Sequence, residues 1–181
     1  PTGRCIQRPY NKGEGDNYAG ELLQRINKGE LLSRDSIEFN DSLKFITPEG
    51  RIVYGGGGIM PDIFIPLDTN SYHNAISEAI RKDLIRQFAF NYTNHNRKEL
   101  EDQKLSNFIT LFEINTEDYN DLAKYCKSYE VSLPLNELDE YDKLILSTQL
   151  KAYIARNIWN DDGFFPVIHK IDYTFQKAIM K

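Results

Sequence analysis

A chain of 181 residues, 40% of them apolar, has material for one ordinary domain or two small ones. Its net charge of −5 is spread evenly along the length, so there is no basic face to follow a phosphate backbone and nucleic-acid binding has no electrostatic support. No apolar run reaches the length of a membrane span and no basic-then-apolar leader is present. The chain lacks an initiator Met and opens on the turn-like Pro1-Thr2-Gly3-Arg4, so it is expected to be cut from something longer, with any leader belonging to the missing part.

In chain order, Pro1 to Gln7 reads as a turn leading into a short strand, and Arg8 to Asn17 as a polar surface loop. Tyr18 to Asn27 reads as a helix: Asp16 or Asn17 can cap it, Leu22, Leu23 and Ile26 share a side, and Gly29 stops it. Ser36 to Phe39 and Leu43 to Thr47 read as strands joined by Asn40-Asp41. The second passes through Pro48-Glu49-Gly50 into Arg51-Ile52-Val53-Tyr54 as a hairpin, because Pro presets φ early in a turn and Gly accepts positive φ near its end. Ile63-Phe64-Ile65, between Pro61 and Pro66, reads as a short strand at a sheet edge. Between these last two strands lie Gly55 to Gly58. Each Gly inside ordered structure costs roughly 0.5–1 kcal/mol against Ala. Such a run therefore implies either backbone conformations closed to other residues or a neighbouring segment too close for a Cβ.

After Asp68 the period changes from two to helical. Thr69, Asn70 or Ser71 can cap a long amphipathic helix carrying Tyr72, Ile76, Ile80, Leu84 and Phe88. A polar break with Asn94 and Asn96 follows, then a short helix with Leu105, Phe108, Leu111 and Phe112. Asn115 and Asp118 resemble a cap for Tyr119, Leu122, Cys126 and Tyr129, an element ended by Pro134. Asn136 and Asp139 open the next, with Leu146, Leu150, Tyr153, Ile154 and Ile158. Asp161-Asp162-Gly163 makes a turn, and Phe164, Ile168, Ile171, Phe175 and Ala178 form a last stripe. The fold class is therefore α+β: a small antiparallel β segment over residues 1–68, then a bundle of about four or five helices over residues 69–181.

Chemistry is harder to place. The glycine run leads into Ile59-Met60-Pro61 and an extended segment, not into a helix N-terminus with a nearby Lys, so it does not match a phosphate-binding loop. His73, His95 and His169 are not spaced as a metal pair, and neither Cys has a partnering Cys or His in a ligand pattern. No Ser sits in a G-x-S-x-G elbow. The carboxylates of Glu137, Asp139, Glu140 and Asp142 fall at a helix start, where the dipole explains them better than acid–base work does. Asp161-Asp162-Gly163 lacks the rest of a calcium loop. Cys5 and Cys126 could be a disulfide, two buried thiols or two exposed ones; by composition alone, lone Cys residues are most often small buried apolar ones. No catalytic, cofactor-binding or metal-binding residue is nominated, and no cofactor is expected.

Two segments carry a resemblance. Pro1-Thr2-Gly3-Arg4-Cys5-Ile6-Gln7 resembles the P-[ST]-G-R-x-I-Q segment of the carboxy-terminal processing (tail-specific) serine peptidases, and Gly57-Gly58-Ile59-Met60-Pro61-Asp62-Ile63 resembles their later G-I-x-P-D segment, in the same order. Gln149-Leu150-Lys151-Ala152-Tyr153-Ile154-Ala155-Arg156 is similar to the C-terminal extension of a bacterial envelope subgroup. The resemblance implies a parent serine endopeptidase that cleaves protein C-terminal regions with a Ser nucleophile and a Lys base, both upstream of Pro1 in the family order. It also implies a periplasmic or envelope location. The chain would then be a C-terminal portion, inactive alone, with the rest of the peptidase, its protein or peptide substrates and further copies of itself as partners. The rival expectation is a stand-alone helical interaction module unrelated to proteolysis.

On either reading the β segment is expected to be the less stable part, because its strands lack neighbours while the helices can bury their stripes against one another. Hydrogen exchange should be faster over residues 36–66 than in the helices, and uniformly slow exchange there would contradict this.

Overall fold

The computed structural model describes residues 3–7, 20, 23–69 and 72–180. The protein is α+β and divides into two compact units, Pro1–Asp68 and Thr69–Lys181. Among the described residues the first unit holds a two-stranded antiparallel sheet, and the second holds seven α-helices.

In the first unit, β1 (Lys44–Ile46) pairs with β2 (Ile52–Tyr54), with Phe45 opposite Val53 and Ile46 opposite Ile52. The turn is the one that Pro48-Glu49-Gly50 predicts. Gly50 takes φ +83° and its N–H donates to the Thr47 carbonyl at 2.9 Å, while the Thr47 N–H reaches the Arg51 carbonyl at 2.8 Å. Residues 23–27 are helical and stop at Gly29, which adopts φ +76°. The Gly29 N–H bonds the Ile26 carbonyl and the Glu30 N–H bonds that of Arg25, both at 3.0 Å, which is a Schellman ending. The expected caps Asp16 and Asn17 lie outside the described residues.

Three expected strands do not form. The one expected within Pro1 to Gln7 is absent from described residues 3–7, where Cys5 and Ile6 accept single bonds from the glycine run without joining a ladder. Around Ser36–Phe39, local side-chain caps win over a ladder. Ser33 caps a 3₁₀ turn over Arg34–Ser36, and Asn40 caps another over Asp41–Leu43, accepting from the Ser42 N–H at 3.0 Å. Phe39 instead stacks on the Tyr54 ring, with centroids 4.5 Å apart. Ile63-Phe64-Ile65 pairs with no strand among the described residues, and the flanking Pro61 and Pro66 have no N–H to give; past them, Leu67 donates one bond to the Leu31 carbonyl at 2.8 Å. No described side chain of this unit is buried.

The second unit contains the core. Its helices are α1 (Asn74–Arg81), α2 (Leu84–His95), α3 (Arg97–Glu101), α4 (Leu105–Leu111), α5 (Thr116–Lys127), α6 (Glu140–Ile168) and α7 (Tyr173–Ile179). The stripe predicted for one long helix belongs to two, because the chain turns at Asp83, which takes φ +60°. Ile76, Leu84, Ile85, Phe108, Leu122, Leu146, Leu150 and Ile154 are buried together, with α6 packed on α2 and α4. Breaks at Asp83 and Asn96 account for more and shorter helices than the four or five expected.

Caps also move. The α1 cap is His73, whose Nδ1 accepts from the Ala75 N–H at 3.1 Å; of the expected caps, Asn70 and Ser71 lie outside the described residues. Asn115 and Asp118 form the capping box of α5 as their spacing predicts. That helix ends at Lys127, well before Pro134, and the Val131 N–H folds back to the Cys126 carbonyl. Asp139 with Asp142, not Asn136, caps α6. The turn expected at Asp161-Asp162-Gly163 occurs one residue earlier, at Asn160, with φ 54° and ψ −140° inside α6. Gly163 then packs so closely on the first arm that a Cβ would lie 2.7 Å from the Ala155 carbonyl oxygen. The final stripe is likewise divided, because Asp172 caps α7 by accepting from the Phe175 N–H at 2.9 Å.

Asp142 is 6% exposed and does more than cap its own helix. Its Oδ1 accepts the backbone N–H of His73 at 2.7 Å, which ties the start of α6 to the start of α1. Asp142→Ala is expected to destabilise this unit by about 2–3 kcal/mol through the lost cap and the orphaned N–H. Urea unfolding followed by Trp159 fluorescence measures this, and a loss below about 0.5 kcal/mol, the range of ordinary surface substitutions, would show that the tie is incidental.

Candidate functional site

The glycine run of the first unit is where distant sequence meets. β2 ends at Tyr54, and the four glycines turn along the segment containing Arg4, Cys5 and Ile6. The N–H of Gly56 donates to the Cys5 carbonyl at 2.8 Å and that of Gly58 to the Ile6 carbonyl at 2.9 Å. Arg4, 50 residues away in sequence, sends Nη1 to the Tyr54 carbonyl at 3.4 Å.

Both reasons for glycine apply, at different positions. A Cβ on Gly55 would lie 2.9 Å from the Cys5 carbonyl oxygen and 3.2 Å from the Phe45 ring, so close approach excludes other residues there. Gly56 and Gly58 adopt φ +76° and +89°, in the left-handed range that glycine occupies without strain. Gly57 meets neither condition, since a Cβ there would face open space. Beyond the run, Arg51 and Asp62 form an exposed ion pair that closes the loop. Ile6, Ile46, Ile52, Ile59 and Ile63 of this unit are all exposed, and Ile46 and Ile52 face each other at the turn end of the hairpin.

The residues weighed for chemistry are scattered and already occupied. His73 is a helix cap, His95 places Nδ1 2.8 Å from the Asn91 carbonyl, and His169 stacks on Phe175 with centroids 3.7 Å apart. Asp139 and Asp142 are capping groups. Among the described residues no cluster of three or more His, Cys, Asp or Glu could hold a metal ion. Cys5 is exposed and Cys126 buried, both free thiols; burial pushes Cys126 up to about 11, so it is protonated and a poor nucleophile near neutrality.

Two lysines merit comparison with what a Ser/Lys site requires. Ser132 lines a shallow groove of about 420 Å³ with Lys124, Lys127, Asn120, Ala123 and Leu133. Lys124 is held by Asp121 at 2.8 Å, a hydrogen bond that pushes its ammonium up, the opposite of what a general base needs. Lys151 is lowered, chiefly by burial, but its amine donates to the carbonyls of Ile109 and Phe112 at 2.9 and 2.6 Å. It is a cation at the C-terminal end of α4, where the helix dipole favours positive charge. The sequence gives no warning of this role, because Ile109 and Phe112 lie about forty positions away. The Asp139/Asp142 box was legible, as its spacing equals that of Asn115/Asp118.

A model of a family of unknown function, DUF8443, matches residues 75–160, a span that lies within the second unit and runs from α1 to Asn160. No curated protein and no solved structure matches the chain.

The four glycines should respond differently to substitution. Gly55→Ala is expected to abolish hydrogen-exchange protection at the Gly56 and Gly58 amides by displacing the Cys5 segment, whereas Gly57→Ala should leave that protection within about twofold of wild type, as expected of a surface substitution worth under about 0.5 kcal/mol. Equal loss in both variants would mean that the close approach does not hold the ribbon.

Proposed function

We propose that this chain is the C-terminal, non-catalytic portion of a tail-specific serine endopeptidase, whose parent cleaves protein C-terminal regions in the periplasm or cell envelope. Residues 1–68 complete the sheet of the catalytic unit, and residues 69–181 form an accessory helical unit for positioning or partner contacts. The nucleophile and base belong to the rest of the peptidase, and no residue here acts in the chemistry.

One observation carries the reading. The two segments that resemble the peptidase motifs are joined by the bond from the Gly58 N–H to the Ile6 carbonyl, in a unit that buries none of its described side chains and exposes several isoleucines. A two-stranded ribbon of this kind is marginal alone and is stabilised by further strands or by packing against another element, as addition to the sheet of the catalytic unit would provide. The second reading, a stand-alone helical interaction module unrelated to proteolysis, assigns the function to the helical unit alone, which holds the buried core.

The test uses the intact gene product. A Ser and a Lys in the peptidase arrangement are expected upstream of Pro1, and the upstream segment mixed with this chain should regain cleavage of an unstructured C-terminal peptide. Absence of the pair, or no association between the two pieces, removes the peptidase reading and leaves the module.

A further inference from the structure

We propose that the helical unit dimerises by exchanging residues 161–180 between two copies of this chain, with Asn160 as the hinge. The starting observation is strain. Asn160 holds φ 54° and ψ −140°, a combination open essentially to glycine, while the residues on both sides are helical. If Asn160 relaxed to helical angles, α6 would continue straight and carry the second arm away from its own body. The local sequence permits this. The first proline after the hinge, Pro166, already lies within helix.

Straightening would strip the arm of specific contacts. Gly163 leaves the Ala155 carbonyl, Phe164 leaves the Tyr153 ring at 5.5 Å and the Arg156 guanidinium at 4.8 Å, and Val167, now 1% exposed, enters water. A second straightened copy presents identical surfaces. Each arm can therefore dock on the other body and restore every contact, with the hinge strain removed from both chains. What holds the bent form at low concentration is that one chain makes these packing contacts without the entropic cost of association, with a small electrostatic addition. Asp161 and Asp162 lie at the start of the second arm, where the helix dipole favours negative charge, and Asp161 pairs with Arg156 at 2.9 Å. The dimer is thus the high-concentration form.

Sedimentation velocity on the 181-residue chain, from micromolar to submillimolar concentration, reads the equilibrium. Asn160→Ala, which favours helix and tolerates the bent geometry less well, is expected to raise the association constant about tenfold; Asn160→Gly, which accepts the bend without strain, should lower it about tenfold. A second readout identifies exchange directly. With Tyr153→Cys and Phe164→Cys in a Cys5→Ser background, oxidation should join monomers internally and dimers between chains. Wild type that stays monomeric throughout, a dimer whose disulfides all lie within single chains, or equal association of wild type and Asn160→Gly would overturn the proposal, the last two even if Asn160→Ala fails to fold.

Discussion

Apolar burial among the described residues is confined to positions 76–167, and that confinement governs both units. In the helical unit, α6 places Leu146, Leu150 and Ile154 against side chains from α2 and α4, so the helices are held by one contiguous core. Each such side chain contributes about 1.5–3 kcal/mol when fully removed from water, enough to override local preferences such as an uncapped start or a left-handed residue. Among the described residues of the first unit no such reservoir exists. Its geometry rests on backbone hydrogen bonds, turn residues and side-chain caps, each of which contributes about 1 kcal/mol.

This explains why glycine matters so much in one unit and so little in the other. Where packing is weak, the backbone itself must fit: the Cys5 carbonyl reaches Gly55 because no Cβ intervenes, and Gly56 and Gly58 bend the ribbon so that their N–H groups meet Cys5 and Ile6. The conformational entropy lost by these glycines on ordering is offset only partly by those bonds. An apolar partner surface on Ile46, Ile52 and Ile59 would supply the remainder, which is the physical basis of the proposed addition to a larger sheet.

Polar groups in the helical unit serve the packing. The Asp142 carboxylate accepts from the N–H groups of His73 and Asp139 at the starts of two helices, Lys151 satisfies carbonyls at the end of α4, and the Asn157 amide donates to the buried Thr93 hydroxyl at 3.2 Å. Tyr92 belongs with them: burial and then its hydrogen-bonded neighbour Asp118 push its phenol up to about 12. Such groups have perturbed environments without being catalytic, because their partners are backbone atoms or capping carboxylates rather than a cleft. Strain persists at one conspicuous place, Asn160, where the close seat of Gly163 on Ala155 outweighs the cost of the bend.

The sequence by itself determined the α+β class, the Pro48-Glu49-Gly50 hairpin, the stop at Gly29, the Asn115/Asp118 box and most apolar residues of the helical core, because each follows from turn chemistry, capping or periodicity within a few residues. Ser36–Phe39 and Ile63–Ile65 fail as strands for reasons that are local too, the caps at Ser33 and Asn40 and the prolines at 61 and 66; only the tertiary structure decided that α1 and α2 separate at Asp83 and that α6 turns at Asn160 instead of Asp161–Gly163. It also decided which glycine faces a carbonyl and which only needs its φ. The bend at Asn160 and the requirement for glycine at position 55 depend on partners 8 and 50 positions away, on the approach of Gly163 to Ala155 and of Gly55 to Cys5, and a distance between such residues exists only once the chain has folded.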